Sequence, residues 1–158
     1  MKVAILGATS QIAKDLIESF AKQTNYECTL FARNPDVVSE WFKKVNIQQP
    51  YQTLDYSGFD VDCHYDAIIN FVGVGNPLQA KEMGSQIFDI SYKYDMMVME
   101  YLKQHPQTKY IFLSSGAVYG GDFSQPITHE SVASIPINNL GATDWYAIAK
   151  LYAEARHR

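Results

Sequence analysis

Apolar residues are distributed along the chain in two alternating rhythms, short unbroken runs and longer stretches with a single apolar stripe, and this alternation predicts strands and helices in turn. Lys2–Leu6 is a short apolar run ending at Gly7, the pattern of a strand buried on both faces. The period then changes: Ile12, Leu16, Ile17 and Phe20 recur at helical spacing while Lys14, Asp15 and Glu18 take the other side, which predicts a helix over about 10–23. Residues 28–32 read as a second strand, and Pro35 suits the first turn of a helix carrying Val37, Val38, Trp41 and Phe42. A weaker third strand is expected over 47–54, ending at Asp55, and a strong fourth over 67–72, running into a glycine-rich segment that begins at Gly73. A long helix over 85–104 and a fifth strand over 110–113 come next. An irregular stretch rich in Gly, Ser, Pro and Asn fills 116–141, and a last helix opens with Thr143 as its expected N-cap.

Strands alternating with helices imply a parallel sheet with right-handed crossovers, an α/β fold of the Rossmann-type, doubly wound kind. Ligands of such sheets bind at the carboxyl ends of the strands. With 158 residues, the expectation is one domain over 1–158. The helical pattern is still running at Arg158, with neither glycine nor proline to end it, so the sequence reads as stopping inside the last helix, before further strands and a substrate-holding lobe.

Composition narrows the function classes. Apolar residues at 47% and charged residues at 19% fit a globular protein, and a net charge of −4 offers no basic face for nucleic acid. The segment before Gly7 is too short for a signal sequence or a membrane span, so a cytoplasmic location is expected, away from membranes. Cys28 and Cys63 read as reduced, buried thiols, and the four histidines share no ligand spacing, so no metal site is expected.

The turn after the first strand reads Gly7-Ala8-Thr9-Ser10-Gln11-Ile12-Ala13, keeping the first glycine of a phosphate-binding turn and replacing the others by Ser10 and Ala13. Gly7 permits the tight turn, Ser10 is small, and the following helix would present free N–H groups to a pyrophosphate. An ordinary strand-to-helix turn would read the same way. After the second strand, where a carboxylate would hold the ribose of NAD, stands Arg33, which can pair with a 2′-phosphate and so favours NADP over NAD; a solvated arginine is the plainer reading. Asp55 is placed to accept from an adenine amino group, or is simply a turn aspartate.

Tyr146 and Lys150 form Y-x-x-x-K, a spacing that puts phenol and ammonium on one helical face. A tyrosine titrates near 10, so a neighbouring positive charge is needed for it to exchange a proton near neutral pH. Residues 113–120, Leu-Ser-Ser-Gly-Ala-Val-Tyr-Gly, bring hydroxyls to the end of the fifth strand.

The Gly7 turn, this serine-glycine segment and the Tyr146/Lys150 pair, in that order and spacing, resemble the short-chain dehydrogenase/reductase family in its extended branch of nucleotide-sugar epimerases and dehydratases. The resemblance covers essentially the whole chain. It implies Tyr146 as general acid/base, Lys150 as the residue that lowers its pKa and bonds the nicotinamide ribose, and Ser115 as the hydroxyl that orients the substrate oxygen, with Ser114 as fallback. The cofactor, NADP or alternatively NAD, is expected against Gly7, Thr9, Ser10, Gln11, Ile12, Arg33 and Asp55, and against Phe71, Val72, Gly73 and Lys150. Glu130 and Pro136 stand much as in sugar-nucleotide epimerases, while Gly116-Ala117 occupy the place of the acidic pair that dehydratases use, so epimerase or ketoreductase chemistry on a nucleotide sugar is implied. Relatives often have an asparagine near the start of the long helix, where this chain offers Asp89, Ser91 and Asp95 without a clear counterpart. Met96, Met97 and Met99, with Tyr92, Tyr94 and Tyr101, read as core of that helix; the resemblance adds a homodimer packed through it. The competing expectation is a non-catalytic NAD(P)-binding module that senses redox state or scaffolds partners, against which the Ser115, Tyr146 and Lys150 set argues. A methyltransferase would want an acid where Arg33 stands, and a serine hydrolase a G-x-S-x-G elbow that is absent.

Overall fold

The computed structural model describes residues 1–74, 76–119, 126–128, 135, 137–141 and 144–158. Glu130, Pro136 and Thr143 lie outside the described residues. Five strands, β1 (Lys2–Leu6), β2 (Glu27–Phe31), β3 (Gln52–Leu54), β4 (Ala67–Asn70) and β5 (Lys109–Phe112), form one parallel sheet in the order β3-β2-β1-β4-β5. The helices are α1 (Gln11–Gln23), α2 (Pro35–Val45), α3 (Pro77–Met83), α4 (Gln86–Gln104) and α5 (Asp144–Arg156). The strand order reverses beside β1, as in a Rossmann-like doubly wound sheet.

The chain folds as two compact units, residues 1–72 with 98–113, and residues 73–97 with 114–158. The first holds the sheet. Val3 and Ile5 of β1 and Leu30 of β2 pack with Ala13 and Ile17 of α1 and Val38 of α2. Ala4 and Leu6, the alternate residues of β1, are equally buried, so the strand needs apolar side chains on both faces. Near the amino ends of β4 and β5, Tyr101 meets the rings of Phe59 and Tyr65. The second unit has its own core of Ala80, Ile87 and Ala149, with Met83, Phe88 and Tyr146 against it.

Several elements depart from expectation for local reasons. The third strand is short because α2 ends in left-handed Asn46 (φ 57°) and Pro50 brings no N–H to a ladder. β4 stops at Asn70 because that side chain captures the Val72 N–H at 2.9 Å, turning the backbone away. α3 was not expected at all; Asn76 caps it by accepting from Leu78 and Gln79, and Pro77 opens it. Ile12 and Val37, read as core positions of their helices, are exposed, as is Tyr92 on α4. Cys28 is buried as expected, whereas Cys63 is exposed, in a turn stapled by Asp60.

Candidate active site

The first unit gathers one set of candidate residues at the carboxyl edge of the sheet. Gly7 leaves β1 with φ 79°, and both it and Ala8 donate to the Phe31 carbonyl, at 2.9 and 3.0 Å. A Cβ on Gly7 would lie 2.9 Å from the Phe71 carbonyl carbon and 3.0 Å from the Val72 nitrogen, so only glycine lets the turn pass beneath the end of β4. Beyond it, Ser10 occupies the N-cap of α1 without a side-chain cap hydrogen bond, and the first turn carries no acidic residue. Helix N–H groups left uncapped and unopposed by a carboxylate are what a pyrophosphate requires, so the turn fits a dinucleotide. Thr9, Gln11 and Ile12 are exposed around it, Ile12 by 61%, an unusual place for an isoleucine in a helix that buries Ala13 and Ile17. Gln11 donates to Asp15 at 3.0 Å, one turn along the helix.

Arg33 is exposed two residues after β2 and forms no ion pair among the described residues. Asp55 follows β3; its Oδ1 accepts from the Ser57 N–H at 2.9 Å and the Ser57 hydroxyl at 2.5 Å, and those bonds hold its carboxyl below the usual range. The turn role of Asp55 is therefore realised, with its second oxygen outside those contacts. Asn70 is a candidate site residue that the hydropathy pattern does not single out. Buried at the end of β4, it donates to the Tyr110 hydroxyl at 2.9 Å and accepts from Val72, fixing where Phe71 and Val72 lie. The signal was present: one amide closing an otherwise apolar run. A cleft of about 910 Å³ also opens in this unit, but beside Lys2, Glu27 and Gln52 at the amino ends of the strands, the edge that parallel sheets do not use for ligands.

The second unit gathers the other set. Tyr146 and Lys150 are one turn apart on α5, with the Lys150 Nζ 5.7 Å from the centre of the Tyr146 ring. Lys150 is only 4% exposed, and its Nζ would lie 3.7 Å from a Cβ placed on Gly73, an ordinary contact distance that puts the ammonium beside this glycine. Burial brings this ammonium from the ordinary 10.5 down to about 8, against the opposing pull of the Asp95 carboxylate. The 3-10 turn Gly116–Tyr119 packs on α5. Just before it, the Ser115 Oγ accepts from the Ala117 N–H at 3.2 Å, which leaves the hydroxyl proton available to a ligand. The Ser114 hydroxyl instead donates to Glu154 of α5, which separates the two serines in role.

The second unit thus holds a buried lysine one turn from a tyrosine, and the first a glycine turn opening onto an uncapped helix. The model of the NAD dependent epimerase/dehydratase family matches residues 3–156. The chain belongs to this family. No curated protein sequence matches it. Among solved structures, it is similar to UDP-glucose 4-epimerase from Bifidobacterium longum in complex with NAD+ and UDP, with a TM-score of 0.74 at 22% identity, covering 99% of this chain and 48% of that one. It is also similar to the UDP-Glc/GlcNAc 4-epimerase of Campylobacter jejuni, with a TM-score of 0.74, 16% identity and coverage of 98% and 47%. UDP-glucuronic acid 4-epimerase from Bacillus cereus in complex with NAD gives 0.72, 18%, 98% and 50%. At these identities the likeness establishes the fold, and the chain spans about half the length of these relatives. Among the described residues no helix is long and apolar enough to cross a membrane, and no cluster of His, Cys, Asp or Glu could hold a metal ion.

Proposed function

We propose that residues 1–158 form the NAD(P)-binding domain of an epimerase or ketoreductase that acts on a nucleotide-linked sugar. The observation that carries this reading is Lys150: an ammonium 4% exposed, one helical turn from Tyr146, in a chain of a NAD-dependent family. A charge held inside a protein at a cost of about 3 kcal/mol, the equivalent of its displacement from 10.5 to about 8, marks a functional group more often than a structural one.

In this reading Tyr146, as the phenolate, takes the proton of a sugar hydroxyl as the carbon is oxidised, holds it as the neutral phenol and returns it on reduction, and the Lys150 charge stabilises the phenolate present before the first step and after the second. Ser115 donates to the same sugar oxygen, its own lone pair being occupied by Ala117. The dinucleotide, when bound, supplies a nicotinamide ring that accepts and returns hydride. Gly7, Thr9, Ser10, Gln11 and Ile12 would hold its pyrophosphate, Asp55 its adenine, and Phe71, Val72, Gly73 and Lys150 the nicotinamide half. The exposed Arg33, without an ion pair among the described residues, supports NADP; the Bifidobacterium and Bacillus enzymes were solved with NAD, which keeps NAD as the alternative. Those enzymes also supply the analogy for a UDP-linked substrate.

A homodimer fits the aromatic patch on α4 and α5, where Tyr92 and Tyr152 are exposed beside Phe88. A reducing, cytoplasmic setting fits two free cysteines. Hydride transfer from NADPH or NADH to keto-sugar nucleotides, followed at 340 nm in the full-length protein, tests the reading. Tyr146→Phe is expected to lower kcat by about a hundredfold or more while leaving cofactor affinity within about threefold. Normal turnover by that variant would end the assignment.

A further inference from the structure

The second unit buries one carboxylate that the proposed chemistry does not use. Asp95, midway along α4, is 1% exposed, and a carboxylate so placed persists only where its charge is answered. Its two oxygens are divided over the end of α5: Arg156 Nη1 donates to Oδ2 at 3.0 Å, and His157 Nε2 donates to Oδ1 at 2.7 Å. Lys150, Ala153 and His157 stand at i, i+3 and i+7, one stripe of the helix and its final turn. His157 thus brings that stripe to Asp95, with Ala153 and Lys150 of the same stripe both buried. Beside this geometry, the Asp95 carboxylate opposes the downward pull of burial on the Lys150 ammonium.

We propose that Asp95 is a positioning residue for the Tyr146–Lys150 pair: it fixes α5 through Arg156 and His157, and it supplies the charge that keeps the buried ammonium protonated. This rests on the reading of Lys150 as the partner of Tyr146. Arg156 at the end of α5 and His157 just after it face Asp95, Lys150 stands two turns back on the stripe that ends at His157, and the Arg156 guanidinium lies over the rings of Tyr92 and Tyr152, at 5.4 and 5.7 Å. Arg156 draws on the same carboxylate and repels the ammonium, so removing Asp95 and removing Arg156 act on Lys150 in opposite directions.

The test is the titration of the Lys150 side chain, followed by NMR in isotopically labelled full chain and assigned by its loss in Lys150→Met. Asp95→Asn is expected to move the midpoint down by about one pH unit, and Arg156→Gln to move it up. The alkaline shift of the acid limb of kcat in Asp95→Asn is the corresponding catalytic readout. A folded Asp95→Asn protein with an unmoved Lys150 midpoint would overturn the proposal. If that variant does not fold, an unmoved or lowered midpoint in Arg156→Gln would do so. Because the titration needs no turnover, Asp95 coupling with a fully active Tyr146→Phe would retain this inference and remove the functional reading, and the reverse pattern would do the opposite.

Discussion

With 4% of its surface exposed, Lys150 holds charge where water cannot stabilise it, and this has a signature in stability. Its folded value of about 8 lies below the ordinary 10.5, so between those pH values the unfolded chain holds more protons at this site than the folded one, and stability owed to Lys150 rises with pH. Below pH 8 the full cost of about 3 kcal/mol applies. Urea unfolding should therefore find Lys150→Met more stable than the parent at pH 7, with the difference shrinking towards pH 10.5. Gly7 makes the opposite demand, for space. Gly7→Ala would combine a positive φ with a Cβ at 2.9 Å from the Phe71 backbone, and should cost more than about 1 kcal/mol as well as closing the turn to a ligand. Cys28, whose thiol burial pushes up to about 11, should resist a thiol reagent in the folded chain while exposed Cys63 reacts; two equivalents in native buffer would contradict the burial. Tyr146, Lys150 and Gly7 were legible in the sequence because each combines a rare requirement with a fixed spacing. Asp95 was not: nothing in the pattern of α4 distinguishes a buried aspartate from an exposed one until α5 is packed beside it.

At the scale of elements, all five strands and the helices α1, α2, α4 and α5 were readable from periodicity, since a sheet covered on both faces demands unbroken apolar runs. The departures, two strand boundaries and one unexpected helix, are decided by single side chains. Asn70 ends β4 by taking a backbone N–H, Asn46 and Pro50 delay β3, and Asn76 with Pro77 starts a helix in what reads as a glycine-rich loop. Periodicity carries no information about such captures. The contact near the amino ends of β4 and β5 offers a clean test of element packing: the fully buried Tyr101 hydroxyl accepts from the Tyr65 N–H and donates to the Cys63 carbonyl, both at 3.0 Å. Tyr101→Phe should cost about 1–3 kcal/mol, because it leaves two backbone groups unanswered, and an unchanged melting temperature would contradict that geometry.

At the scale of the molecule, the family is established over residues 3–156 and the Rossmann-like fold by the parallel sheet, while catalysis and substrate are inferred from two residue sets in two compact units. The central proposal is that this chain binds a nicotinamide dinucleotide. Calorimetric titration of NADP and NAD into the folded chain tests it most directly. Saturable binding of one or both at micromolar concentrations is expected, lost in Gly7→Ala and weakened about tenfold or more in Lys150→Met. A well-folded chain that binds neither dinucleotide, or binds one with Lys150→Met at undiminished affinity, would contradict it.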